Sequence, residues 1–200
     1  MFKFKQNIQT QLKAFSKKQI LFECKKPSPL SLEERKKIHL FLIEKIKAQK
    51  IYQKYKWNLN SLLRLGVRPQ HPFIAVSISH CPSLAGFVFV FQNNLKKKIS
   101  LGLDIEESHR ISQKVISRVS QTQEQNSSPR PDFLWTAKES SFKCFSESSN
   151  PLLIKDCRIY AWKAEKKSYT FKAQYKKNKA RGLVFSIKHL SIAYTEANQS

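Results

Sequence analysis

Apolar residues recur near helical spacing at Leu32, Ile38, Phe41, Leu42, Ile46 and Tyr52, which predicts one long amphipathic helix over 32–56. Ser31-Leu32-Glu33-Glu34 at its start has the form of a capping box, with Ser31 accepting from the N3 amide and Glu34 reaching back. Beyond Pro69 and Pro72 the pattern changes. FIAVSISH (73–80) and LAGFVFVF (84–91) are short runs rich in β-branched and aromatic residues, parted by Cys-Pro-Ser, and they predict two strands. Lys96 to Lys98 read as a basic turn, and ISLGLDI (99–105) alternates as a third strand. A first lobe of one helix on an antiparallel sheet is expected, with LGLDIEES (101–108) opening a second.

In the second half, Ile111, Val115 and Val119 predict a short helix near 109–120. QTQEQNSSPRP (121–131) is polar enough to read as a flexible loop. From Asp132, taken as N-cap, FLWTAKESSFKCF reads as a helix with Trp135, Phe142 and Phe145 on one stripe, and the stretches 157–164, 168–175 and 182–195 read as strands. The expected fold is α+β, with two pseudo-symmetric lobes, each a long helix packed on a small antiparallel sheet. Residues 1–100 form the first and 101–200 the second. The symmetry rests on element order, since no residue-level repeat is visible.

With 40% hydrophobic and 12% aromatic residues in 200, the chain can bury a real core. The 37 Lys and Arg against 14 Asp and Glu give a formal charge of +23, spread along the whole chain. Such a surface attracts polyanions: nucleic acid, an anionic membrane, a phosphorylated small molecule or an acidic protein. Cys24, Cys81, Cys144 and Cys157 show no C-x-x-C spacing, which supports neither a zinc site nor a disulfide framework and predicts reduced thiols. The N-terminal segment lacks a signal-peptide core and no window approaches 18 apolar residues, so a soluble, cytoplasmic protein is expected.

Acid is scarce in this chain, so its placement carries information. On a strand, Asp104 and Glu106 share a face while Ile105 turns into the core. Two such carboxylates repel unless a cation lies between them, and hard oxygen ligands suit magnesium. Glu139 is the natural third ligand, about 40° round its helix from Trp135 with Lys143 one turn on. The plainer alternative is an i,i+4 Glu139–Lys143 pair and a strand that ends in solvated acids. His80 ends an apolar strand in which Ser77 and Ser79 are hard to place unless they face a ligand, and Arg68 lies upstream. Ser, His and Arg converging near a divalent metal would make a phosphate site.

SISHC (77–81), GLDIE (102–106) and WTAKESSFK (135–143), in that order, resemble the 4′-phosphopantetheinyl transferases of the long single-chain type, similar to the surfactin synthetase activator. Members carry a Ser-His segment, then G-x-D-x-E, then W-x-x-K-E-x-x-x-K, and this chain matches the last two at every defining position. The resemblance spans about residues 66–145. It implies transfer of the phosphopantetheine arm of coenzyme A to a serine of an acidic apo acyl or peptidyl carrier protein, with magnesium on the pyrophosphate. Asp104, Glu106 and Glu139 would hold the metal. Arg68, in a Gly66-Val67-Arg68-Pro69 turn like the family's G-K-P, would meet the 3′-phosphate. Ser79, His80, Lys138 and Lys143 would complete the coenzyme site, and Glu139, Lys143 and His80 would be catalytic. Glu124 is the best match to the family's acidic residue between the core motifs. Cys81 stands where serine is common, and the Asp104–Trp135 segment is short. A monomer with no membrane and no specific nucleic-acid partner is expected. Two other readings stay open from the residues: a magnesium-dependent nuclease, which D-x-E and the high charge also suit, and a non-catalytic nucleic-acid-binding protein. The Ser-His strand upstream of D-x-E favours the transferase, since neither alternative requires it.

Overall fold

The computed structural model of the chain describes residues 2–16, 20–25, 32–63, 71–92, 98–146 and 153–198. The fold is α+β, with two antiparallel sheets and several helices. Helix α1 (Phe2–Phe15) leads into β1 (Leu21–Lys25), followed by α2 (Leu32–Lys47) and α3 (Lys50–Tyr55). Strands β2 (Ile74–Cys81) and β3 (Leu84–Phe91) join β1 in a sheet of order β1-β3-β2. Strand β4 (Ile99–Glu107), helices α4 (Gln113–Val119), α5 (Thr122–Ser127) and α6 (Pro131–Phe145), and strands β5 (Arg158–Ala164), β6 (Tyr169–Tyr175), β7 (Asn178–Ile187) and β8 (Leu190–Asn198) complete the chain. The second sheet has the order β4-β8-β7-β6-β5, so the first strand after the crossover pairs with the last.

Several expectations are corrected. The 32–56 helix is broken: Gln49 is extended and caps α3, a short exposed helix. The 121–131 stretch holds α5, whose buried Glu124 accepts from Gln121 N. Helix α6 starts one residue before Asp132, with Arg130 as N-cap and Pro131 in the first turn, where a missing N–H costs nothing. Asp132 lies inside that turn and forms a two-pronged ion pair with Arg130. The 182–195 stretch is two strands with a turn at Lys188-His189. Strand β4, expected to open the second lobe, stands in the second sheet and pairs with β8. Ser31 of the expected capping box and residues 93–97 lie outside the described residues. All four cysteines are buried and free, and among the described residues no helix is long and apolar enough to cross a membrane.

Packing follows the two-residue period of the strands. Leu42, Ile43 and Ile46 of α2 cover Ile74, Val76, Phe87 and Phe89 on one face of the first sheet. The other face, with Ala75 and Val88, meets Leu101, Leu103 and Ile105 of β4 together with Phe185 and Tyr194, and Ile8 and Leu12 of α1 close that core. Helix α6 lies on the opposite face of the second sheet, burying Phe133, Ala137, Cys144 and Phe145 against Ile159, Ala173, Val184 and Ala193. Its contact with β4 and β8 is made by small residues. Ser140 Oγ lies 2.8 Å from Thr195 Oγ1 and Thr136 Oγ1 3.1 Å from Ser191 Oγ. Phe145 is buried here, while Trp135 and Phe142 stay partly exposed beside this close-packed line instead of forming its stripe.

The glycine of G-x-D-x-E has a steric reason. A Cβ on Gly102 would stand 1.7 Å from the Ser140 carbonyl oxygen and 3.0 Å from Cys144 N, so α6 rests directly on the β4 backbone. Gly102→Ala must lift the helix, and is expected to lower stability by about 1–3 kcal/mol or more. Thermal or urea denaturation checks this; a melting midpoint equal to that of the parent would show that the helix does not bear on this residue.

Candidate functional site

Strands β2 and β4 run side by side without a backbone ladder between them. Two serine side chains take its place: Leu103 N donates to Ser77 Oγ at 2.9 Å, and Ile105 N donates to Ser79 Oγ at 3.0 Å. Both numbers rise together, so the strands are parallel in this stretch. Ser77 and Ser79 therefore satisfy the outward N–H groups of an edge strand, which explains polar residues in an otherwise apolar strand. The expectation that they need a ligand to face is replaced, for Ser77, by this structural task.

Ser79 does more. Its hydroxyl donates to Asp104 Oδ1 at 3.0 Å, and Lys143, reaching across from α6, donates to Asp104 Oδ1 at 2.7 Å, Leu103 O at 3.1 Å and Ser79 Oγ at 3.2 Å. Asp104 is buried, and its second oxygen, Oδ2, has no hydrogen-bond partner. The plainer alternative paired Lys143 with Glu139; the ammonium holds the β4 carboxylate. Burial pushes the Glu106 carboxyl up to about 7, with Asp104 adding to the rise and Arg110 and Lys143 opposing it. Glu139 is also raised, by burial first and then by the Asp104 charge, against Lys143. The structure thus brings Ser79, Asp104, Glu106, Glu139 and Lys143 into one electrostatic neighbourhood.

Other expected residues stand elsewhere. Half-buried His80 follows Ser79 on the opposite face of β2, the face of Ile74 and Val76. Lys138 is fully buried, 2.9 Å from Glu124 Oε1 and 2.7 Å from the Cys157 carbonyl. Glu124 also accepts from Ile159 N and Gln121 N, so this pair ties α5, α6 and β5 together. Arg68 lies outside the described residues. Glu107, the third acid of the opening cluster, is buried and accepts from Ser83 Oγ, and His109 stands 3.6 Å away. The Ser83 bond holds Glu107 below the usual carboxylate range, and nearby histidines and Arg110 add to this. His189 Nε2 lies 3.2 Å from Ser83 Oγ, but the hydroxyl proton is committed to Glu107, so the trio is not an activated nucleophile.

Could Asp104, Glu106 and Glu139 hold a divalent cation? The donor set suits a hard ion. An orphaned buried Asp104 oxygen and two carboxyls raised by a shared negative field are what added positive charge would relieve. Among the described residues no three such side chains stand ready as a coordination shell; the Lys143 ammonium neutralises Asp104 in their place. No protein-family model matches the chain, and no curated protein matches its sequence.

Two outcomes follow from this geometry. A carboxyl whose pKa is higher folded than unfolded supports the fold while protonated, and that support fades as pH rises from near the ordinary 4.5 through about 7. In melts without divalent cation, Glu106→Gln should therefore gain stability relative to the parent across that window. Parallel pH–stability curves for the two proteins would show that Glu106 titrates as in water. Lys138→Met should cost about 3–5 kcal/mol, because Glu124 is left charged and buried, and adding Glu124→Gln should return part of that loss in urea denaturation. No loss in the single variant would refute the structural role of the pair.

Proposed function

We propose that the chain is a 4′-phosphopantetheinyl transferase, moving the phosphopantetheine arm of coenzyme A to a serine of an acyl or peptidyl carrier protein with release of 3′,5′-ADP. One observation carries this: the three segments of the resemblance, on β2, β4 and α6, meet at the Ser79–Asp104–Lys143 contact. With the proposal go the pseudo-symmetric two-lobe arrangement divided near residue 100, a cytoplasmic monomer, and an acidic carrier drawn to the +23 surface.

Asp104, Glu106 and Glu139 would hold magnesium, which when bound supplies positive charge against the pyrophosphate of coenzyme A. Lys143 donates to the phosphate oxygens on which charge builds as the bond to 3′,5′-ADP breaks. To do so it exchanges its bond to Asp104 Oδ1 for one to the coenzyme, and Ser79 keeps the carboxylate in place meanwhile. Glu139, at the edge of the cluster, would take the proton of the attacking serine. Arg68 and His80 bind the coenzyme's phosphates. Lys138 supports this site from behind, through Glu124 and the Cys157 carbonyl, by fixing the helix that presents Glu139 and Lys143.

Incubation of the protein with apo-carrier, coenzyme A and magnesium should add the phosphopantetheine mass to the carrier, read by mass spectrometry. Asp104→Asn and Glu139→Gln should each slow transfer at least on the order of 100-fold with the fold retained. Arg68→Ala should raise the KM for coenzyme A more than that for dephospho-coenzyme A, which lacks the 3′-phosphate. Full activity in either carboxylate variant sinks the metal assignment, and no mass shift with any acidic carrier sinks the transferase. Cleavage of duplex DNA under the same conditions would favour the nuclease.

A further inference from the structure

At the end of β2 away from Ser79, three aromatic rings lie nearly parallel. Tyr55, the last residue of α3, stacks on Trp57 with 5.3 Å between centroids and 2° between planes, and Trp57 stacks on Phe73 at 5.2 Å and 10°. Trp57 also meets Phe91 at 5.8 Å, and Trp57, Phe73 and Phe91 all pack against the core that α2 shares with the first sheet. One end of this ladder is therefore rooted in the fold. The other end is Tyr55, which is 53% exposed. The Lys54 ammonium stands over its ring at 5.1 Å, on a flexible side chain that a flat ligand can displace.

Helix α3 contributes little to stability by itself. It is six residues long and buries none of them, far short of what a helix needs to hold in water alone. Lys50 and Lys54 stand one turn apart on it as a like-charge pair, which is unfavourable. Its C-cap, Lys56, is left-handed at φ 45°, where glycine is usual. The sequence around it offers no acid to compensate, since no Asp or Glu occurs between Glu44 and Asp104, and Glu44 itself lies 3.5 Å from Lys45. Lys50, Lys54 and Lys56 are exposed. These features all work against the fold, and together they hold an open ring beside unneutralised positive charge, where an anion is favoured.

We propose that Tyr55 is a stacking site for a base of a single-stranded nucleic acid, bound without sequence preference, with Lys50, Lys54 and Lys56 on the neighbouring phosphates. This is a second binding function, separate from the carboxylate cluster. An anionic membrane would be drawn to the same charge, but it makes no demand on ring planes. A ladder of parallel rings that ends in an exposed one is continued by one more flat ring, and every base offers such a face. A duplex keeps its base faces inside, so the strand must be single.

The test is calorimetric titration of the full chain with an oligothymidylate of about 16 nucleotides, in EDTA at about 0.15 M salt, where remote charges are screened. The oligonucleotide should bind. Tyr55→Ala should weaken it at least about fivefold with the melting curve retained, and Tyr55→Phe should bind like the parent. Inorganic polyphosphate, which has the charge without the bases, should be indifferent to Tyr55→Ala, while Lys50→Glu with Lys54→Glu should weaken both ligands. Failure of the oligonucleotide to bind overturns the proposal, as does unchanged affinity in Tyr55→Ala. An equal loss of polyphosphate or duplex binding in Tyr55→Ala overturns it as well, since neither presents a free base face. Phosphatidylserine vesicles that bind through Tyr55 in place of the oligonucleotide would assign the surface to a membrane instead.

Discussion

An edge strand must find partners for its outward N–H groups, and how β4 does so decides the placement of everything around it. Strand β8 takes one edge. On the other, the hydroxyls of Ser77 and Ser79 accept from Leu103 and Ile105. This joint fixes β2 beside β4 in one register, because serines two residues apart can meet only N–H groups two residues apart. Sliding β2 by one residue would offer Val76 and Ile78 to the same amides and leave both unpaired, a cost of about 1–3 kcal/mol each when buried. Ser79 therefore stands next to Asp104 by necessity, and Lys143, carried by the helix that rests on Gly102, reaches both.

In a chain with 37 basic and 14 acidic residues, buried carboxylates are spent at junctions. Glu124–Lys138 joins α5 and α6; Asp104–Lys143 joins β4 and α6. Glu196 receives Arg181, Tyr194 and Ser16, and so ties the segment after α1 to β7 and β8. Each such pair costs desolvation that its attraction must offset, so it specifies an arrangement more than it adds stability. Glu106 and Glu139 differ from these, since their carboxyls are raised. A half-buried acid that is not neutralised by its surroundings is the kind of group a functional site retains.

What the sequence shows of this fold follows its local signals. Strands β2 and β3 and the start of β4 were legible because their apolar runs end at clear punctuation such as Cys81-Pro82-Ser83. The β7–β8 boundary was not, because the turn is Lys188-His189, with Lys188 at φ 57° where Gly or Asn is usual. Helix α5 was hidden because its stability comes from buried Glu124 and its Lys138 partner, a contact between residues 14 apart that no periodicity records. Helix α1 and strand β1 were missed as elements, although Phe4, Ile8, Leu12 and Phe15 recur in the sequence at the helical spacing of the face that covers the second sheet. Of the site, Asp104, Glu106, Glu139 and Lys143 were legible from their spacing. That Lys143 would hold Asp104 was not, because this contact depends on the β2–β4 joint.

The Lys143–Asp104 contact bears on the proposed chemistry, in which one ammonium would serve two anions in turn: Asp104 in this structure, and a phosphate of the coenzyme during transfer. When Lys143 turns to the phosphate, Asp104 loses its nearest positive charge while staying buried, with Ser79 still donating to it. The negative field at Glu106 and Glu139 then deepens, since Lys143 was one of the groups opposing it. In a low-dielectric site this makes the three carboxylates a stronger attractor for a divalent cation than they are with Lys143 in place. Arrival of the anion and of the cation are thereby coupled through one side chain, and by linkage each must favour the other to the same degree. On the proposed chemistry, a basic chain that holds these acids behind a lysine would keep its cation affinity low until the substrate that needs the cation is bound.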